Sequence, residues 1–250
     1  MAKNDTSFDP ADVLAALQLL TRLPIPSAHT RGALAAWAYP IAGAVVGALG
    51  GAAGALALWA GLPAAMAALI ALAVQVLVTG ALHEDGLADC ADGFWGGWTR
   101  ERRLEIMKDS QIGSYGVIAL VLSLAARGGA LWLLFEAGPG TALAAMVAVG
   151  LVSRSVMPAL MWALPHARAG GLSASVGVAP KGAVIAAAGF ASIGALALLG
   201  PGAMKIVIGA GLAALGVSLV ARAKIAGQTG DVLGAAQQMA EITALLILIP

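Results

Sequence analysis

Between Arg31 and His83 the chain runs for fifty-one residues, Gly32 to Leu82, without a charged side chain. A run of this length is too apolar for the surface of a water-soluble domain and too long for one membrane crossing of ~20 residues, so it fits two. The break falls at Gly61-Leu62-Pro63, where glycine and proline interrupt helical pairing. The first helix is expected over roughly 34–59. Its Gly43, Gly47 and Gly51 recur every fourth residue and open one face to close backbone packing by another helix.

The rest of the sequence agrees. Hydrophobic residues make up 60% and charged residues 11%, with a mean hydropathy of +0.90, whereas soluble domains carry about 25% charged residues. Further apolar stretches are expected at about 112–135, 141–163, 183–200, 203–221 and 232–249, separated by signals such as Gly138-Pro139-Gly140 and Gly200-Pro201-Gly202. The fold class is therefore all-α: a polytopic membrane bundle of about seven transmembrane helices plus short interfacial ones, formed as a single domain over residues 1–250. Near the start, Asp9-Pro10 reads as a helix cap. Val13, Leu14, Leu17 and Leu20 then give one apolar face, an interfacial helix over 9–20. No positively charged leader precedes it, so no cleavable signal peptide is expected.

With a net charge of +1 and no basic stripe, a nucleic-acid partner is not expected. A single cysteine, Cys90, excludes an internal disulfide and reads as small and inert. If the segment 83–113 is cytoplasmic, Lys3, Arg22, Arg31, Arg100, Arg102, Arg103, Lys108, Arg168, Lys181, Arg222 and Lys224 all fall on the same side, eleven of the fourteen basic residues. That satisfies the positive-inside rule. Arg127 and Arg154 remain within spans, and Lys205 lies near an outer end. A lone Arg154 at mid-span needs an acid or a phosphate as partner.

The acidic residues are the opposite of scattered. His83 to Gly113 holds seven of the thirteen: Glu84, Asp85, Asp89, Asp92, Glu101, Glu105 and Asp109. On a helix Asp85, Asp89 and Asp92 share one face, and Glu101, Glu105 and Asp109 would do so on a second helix, so that two carboxylate stripes confront each other. Glu84 lies about 100° away from Asp85 and falls outside that face. Oxygen ligands at such density suit a hard cation, Mg2+ or Mn2+, that leaves positions for water and substrate phosphates. The expectation is a metal-dependent phosphoryl-transfer site in which the second membrane helix runs into the acids. A second polar island, Gln228-Thr229-Gly230-Asp231, stands at the start of the last helix, with Glu241 ten residues further. It reads either as a helix cap or as an anion-binding turn.

Taken in order, Leu20-Thr21-Arg22-Leu23-Pro24, His83-Glu84-Asp85-Gly86-Leu87-Ala88-Asp89-Cys90-Ala91-Asp92-Gly93, Arg103-Leu104-Glu105-Ile106-Met107-Lys108-Asp109-Ser110 and Gly227-Gln228-Thr229-Gly230-Asp231 resemble the adenosylcobinamide-GDP ribazoletransferases, or cobalamin-5′-phosphate synthases. The resemblance covers nearly the whole chain and departs visibly at Glu84, where the family pattern has an apolar leucine. It implies an Mg2+-dependent enzyme of the bacterial inner membrane, multi-pass, with its site facing the cytoplasm. The implied reaction joins α-ribazole or its 5′-phosphate to adenosylcobinamide-GDP and releases GMP.

In that chemistry a ribose hydroxyl attacks the phosphoryl group attached to cobinamide, and charge builds on oxygens that metal ions clamp. Asp85, Asp89, Asp92, Glu105 and Asp109 are the candidate ligands, and one of them or His83 takes the hydroxyl proton. Arg102, Arg103, Lys108, Ser110, Arg154, Gln228, Thr229 and Asp231 are candidates for substrate contact. Membrane lipid is an expected neighbour, and homo-oligomerisation is left open. Two other readings exist. Asp89-x-x-Asp92-Gly93 echoes the CDP-alcohol phosphotransferases, although Trp95-Gly96 stands where those show Ala-Arg. An ion-coupled transporter would also hold acids and Arg154 in a membrane, but should show two related halves, and no such repeat is visible.

Overall fold

The computed structural model describes residues 8–26 and 31–249. Lys3 and the start of the chain lie outside them. Among the described residues every regular element is a helix, and the only extended pairing is an isolated bridge between His166 and Gln228.

The first helix, α1 (Ala11–Leu20), begins as the sequence predicts, with the Asp9 carboxylate accepting from Ala11 N at 2.9 Å. Asp12, buried in its first turn, accepts from Trp37 Nε1 at 2.8 Å and from Arg31 at 3.3 Å. These bonds fix α1 against a 3-10 stretch, Gly32–Ala38, that leads into α2 (Tyr39–Trp59). After Gly61-Leu62-Pro63 comes α3 (Ala64–Thr79).

The expected continuation of α3 into the acids does not occur. Gly80 and Ala81 both adopt left-handed backbone, with φ of 62° and 56°, and the next helix, α4 (Leu82–Gly96), is turned by 85° from α3. Glycine is the residue that fits here: a Cβ at position 80 would press on the Arg22 side chain. Arg22 N also donates to Val78 O at 2.7 Å, so α1 is stitched to the bend. The acids therefore lie on a separate helix, set at an angle to α3 and packed against the bundle, and not on a straight continuation of α3.

The remaining helices are α5 (Arg100–Ile106), α6 (Ser114–Glu136), α7 (Pro139–Ala163), α8 (Leu172–Val176), α9 (Lys181–Leu199), α10 (Ala203–Ile225) and α11 (Gly230–Ile247). Among the described residues, four stretches are long and apolar enough to cross a membrane: Gly32–Trp59, Ser114–Glu136, Pro139–Ala163 and Lys181–Ile225. A fifth is added if the bent pair α3–α4 counts as one. The 45-residue stretch would reach about 67 Å as a straight helix, twice the ~30 Å hydrocarbon layer, and it is interrupted at Gly200-Pro201-Gly202 to make α9 and α10. Helix α11 is not in that set because it carries Gln237, Gln238 and Glu241, all fully buried. It is an internal helix, screened by its neighbours.

Size is distributed as a bilayer requires. On α9 the buried positions are Ala183, Ala187, Ala191 and Ala195, while Ile185, Ile193 and Leu196 are exposed. Small residues face the bundle and large ones face outward, because lipid solvates leucine as well as a protein core does. The predicted glycine face of α2 meets α7: a Cβ on Gly43 would collide with the carbonyl of Gly150, one on Gly47 with that of Met146, and one on Gly51 with the Leu143 side chain.

Candidate active site

Helix α4 is held along its length by α11. Gly86 lies against the backbone of Asp231, where a Cβ would stand 2.7 Å from the carbonyl oxygen, and Gly234 lies against His83. The two polar motifs, separated by more than a hundred residues in sequence, are thus in backbone contact. Asp89, half-buried on α4 outside the four apolar spans, has its pKa raised to about 7. Burial is the largest cause, followed by repulsion from Asp85, Asp231 and Asp92, with Arg168 opposing.

Two cavities open beside these acids, and Asp85 lines both. The polar one, of about 330 Å3, is walled by Asp85, Asp89, Lys108, Asp109, Ser110 and Gln111. The other, of about 230 Å3, has His83, Asp85, Arg168 and Asp231 among largely apolar neighbours.

The second acidic stripe is not built as expected. Helix α5 stops at Ile106, so Asp109 sits in the following loop, where it accepts from Gln111 N at 3.1 Å and still lines the polar cavity. Glu105 is turned to the surface and pairs with Arg102 at 3.2 Å, and exposed Glu101 lies 3.9 Å from Arg100. Asp92 is also placed elsewhere. Its carboxylate accepts from Gly113 N at 2.7 Å and Gly116 N at 2.9 Å, filling the orphan donors at the start of α6. Only glycine lets that helix end approach so closely, since a Cβ on either residue would press on the carboxylate.

Several expected substrate contacts have structural partners. Arg103 donates to Gly97 O at 2.9 Å and Lys224 O at 3.0 Å. Arg154 is buried and paired with Glu241, so it reaches neither cavity. Gln228 accepts from Ser173 Oγ at 2.6 Å and meets His166 Nδ1 at 3.1 Å. Thr229 caps α11 through Val232 N and donates to Asp231 at 3.0 Å. Asp231 itself is paired with Arg168 at 3.3 Å and faces the second cavity.

The donor set can be tested against a hard cation. Among the described residues no group of three or more His, Cys, Asp or Glu converges closely enough to hold a metal by itself. Mg2+, however, is commonly held by one or two carboxylates together with waters and substrate phosphates. Asp85, Asp89 and Asp109 around one cavity fit that mode and not a preformed cage.

Sequence reasoning missed two features. One is a buried network in which Arg127 binds Glu84 at 2.7 Å and Glu241 at 2.9 Å, Arg154 binds Glu241, and Gln237, Gln238, Ser153 and Ser123 add further hydrogen bonds. Its signal was the two mid-span arginines, which need acids, together with Glu84 and Glu241, which stand outside the carboxylate faces. The other is Arg168, positioned by a loop that Arg100 anchors through Ala167 O at 2.5 Å and Ile225 O at 2.9 Å. Gln228 clamps the same loop through Ala167 N and Pro165 O.

Fold and site together define a helical membrane protein with a cluster of acids lining two cavities beside α4 and α11. The family profile described as cobalamin-5-phosphate synthase matches residues 12–249, and the chain belongs to that family of enzymes. Two relatives, from Bradyrhizobium diazoefficiens and Mesorhizobium japonicum, are each 45% identical to it. The alignment covers 95% of this chain and 92% of the first relative, and 94% and 92% for the second. A third, from Brucella ovis, is 41% identical over 95% of this chain and 96% of its own. All three are named adenosylcobinamide-GDP ribazoletransferase. No solved structure matches the chain. The transporter and CDP-alcohol readings give way to this family.

Proposed function

We propose that the protein transfers the cobinamide phosphoryl group of adenosylcobinamide-GDP to a ribose hydroxyl of α-ribazole or its 5′-phosphate, giving adenosylcobalamin or its 5′-phosphate and GMP. A bond forms between the ribose oxygen and the phosphorus attached to cobinamide, the bond from that phosphorus to the GMP oxygen breaks, and GMP leaves with the electron pair. The observation that carries this reading, beyond the relatives' names, is Asp85 shared by two adjoining cavities, an arrangement that suits two substrates meeting at one point.

Asp85, Asp89 and Asp109 are the residues we assign to hold Mg2+, with Mn2+ as its substitute, which when bound supplies positive charge to the diphosphate and the leaving oxygen. Lys108 lines the same cavity and balances the diphosphate. The hydroxyl proton passes to a carboxylate at the junction, Asp85 or Asp231, both on the wall of the second cavity. Purified protein given Mg2+, adenosylcobinamide-GDP and α-ribazole 5′-phosphate should release one GMP per corrinoid joined. Turnover of CDP-diacylglycerol with an alcohol in its place, and none of the cobinamide substrate, would overturn the reading.

We also propose that the site faces the cytoplasm across a bacterial inner membrane. Supporting this, the basic residues Arg22, Arg100, Arg103 and Lys224 gather at the end of the bundle that holds the acids. Thiol labelling from outside the cell should reach Gly138→Cys and not Trp98→Cys, and the reverse pattern would refute the orientation.

A further inference from the structure

The second cavity is unlike the first in its walls. Leu19, Leu20, Tyr39, Met157, Met161 and Leu233 make most of its lining apolar, yet it holds polar atoms with nothing to bond. His83 is 1% exposed, and neither of its ring nitrogens has a hydrogen-bond partner. Arg168 uses one terminal nitrogen for Asp231 at 3.3 Å, while the other, Nη1, is buried and has no partner. Gly230, the first residue of α11, lines the same space. The N-terminal end of that helix, with its partial positive charge, therefore opens onto the cavity, Val232 N being capped by Thr229 and Leu233 N bonded to Thr229 O.

Buried donors without partners cost free energy that a complementary ligand recovers. Here the ligand must carry an apolar body, a polar atom for the imidazole and an anion for the guanidinium. Volume narrows the choice. About 230 Å3 lies just below the ~300–1,000 Å3 of sites for drug-sized molecules, which excludes a corrin macrocycle and leaves room for the base and part of the ribose phosphate of a nucleotide that extends toward the open side. The base narrows it again. A guanine would bring several donors and acceptors against methionine and leucine, whereas a dimethylated benzimidazole has few polar atoms to desolvate.

Resting on the reaction proposed above, we propose that this cavity is the subsite for the acceptor nucleotide, a ribonucleoside 5′-phosphate with an apolar base. Arg168, helped by the α11 N-terminus, is the residue that reads the 5′-phosphate, and His83 hydrogen-bonds the base or the ribose. The ribose then lies toward Asp85 and Asp231, beside the polar cavity that receives the diphosphate. Arg168 shares its other nitrogen with Asp231, which keeps the phosphate apart from that carboxylate.

Binding separates this assignment from the reaction itself. Calorimetry on the purified protein should show α-ribazole 5′-phosphate binding about tenfold or more tightly than free α-ribazole. That preference should vanish in Arg168→Gln and return in part in Arg168→Lys, which restores the charge without the fork. Equal affinities in the unaltered protein, or an unchanged preference in a folded Arg168→Gln, would overturn the subsite. Failure of GMP release with the binding preference intact would instead refute the reaction and leave the subsite standing.

Discussion

Glu84 and Asp85 are neighbours in sequence, yet they belong to two regions that hold charge differently. Glu84 points into the bundle, where Glu84 and Glu241 meet Arg127 and Arg154 in a network with one guanidinium for each carboxylate. Asp85 points the other way, toward Asp89, Asp109 and Asp231, for which Lys108 and Arg168 are the facing cations. The inner network is closed and almost fully buried, whereas the outer group is open to two cavities and carries excess negative charge. A balanced buried cluster ties α4, α6, α7 and α11 together; an unbalanced one awaits positive charge from outside the chain.

The largest expected effect belongs to the unbalanced side. Asp89→Asn should lower turnover about a thousandfold or more, because it removes a charge that matters as the phosphoryl group transfers. Thermal stability should hold or rise slightly, since Asp89 is repelled by Asp85, Asp231 and Asp92 in the unliganded protein. Steady-state rates and a melting curve on the same preparation test both halves. A variant that melts much earlier would erase the contrast between the two regions.

Glu241→Gln should show the reverse profile. It leaves Glu84 as the carboxylate partner of Arg127 and removes the carboxylate with which Arg154 pairs, and breaking a buried charge pair of this kind costs about 3–5 kcal/mol. Melting temperature and yield of folded protein should fall sharply, while the specific activity of what remains folded changes little. Normal stability with lost turnover would move Glu241 from scaffold to site.

The same contrast explains what the sequence made legible. The helices at the apolar stretches, the Gly43/Gly47/Gly51 packing face and the clustering of acids along His83–Asp92 follow from local pattern, and the structure carries them, although four or five stretches and not seven are long and apolar enough to cross a membrane. The pattern was less informative wherever a turn intervened. Helical spacing put Glu101, Glu105 and Asp109 on one face, but that argument fails once α5 ends at Ile106. It likewise could not show that Gly80 and Ala81 break the second span, or that Arg154 meets Glu241, because such pairings depend on which helices are neighbours. Arg168 had no motif at all; its place is fixed by Arg100 and Gln228 from elsewhere in the chain.

The smallest expected effect sharpens the boundary between the regions. Asp92 lies one turn beyond Asp89 on the same face of α4, and by spacing alone the two should act alike. Its carboxylate instead accepts from Gly113 N and Gly116 N, so its work is to hold the start of α6 against α4. Asparagine keeps one acceptor oxygen but turns its NH2 toward the other N–H, so Asp92→Asn should cost about 1–2 kcal/mol and reduce turnover by less than about tenfold. Asp92→Ala, which orphans both N–H groups, should cost about 1–2 kcal/mol more. Rates and melting temperatures for these two variants beside Asp89→Asn decide the matter. If Asp92→Asn lost as much turnover as Asp89→Asn with its melting temperature unchanged, Asp92 would belong with the cation-holding acids and the helix cap would be incidental.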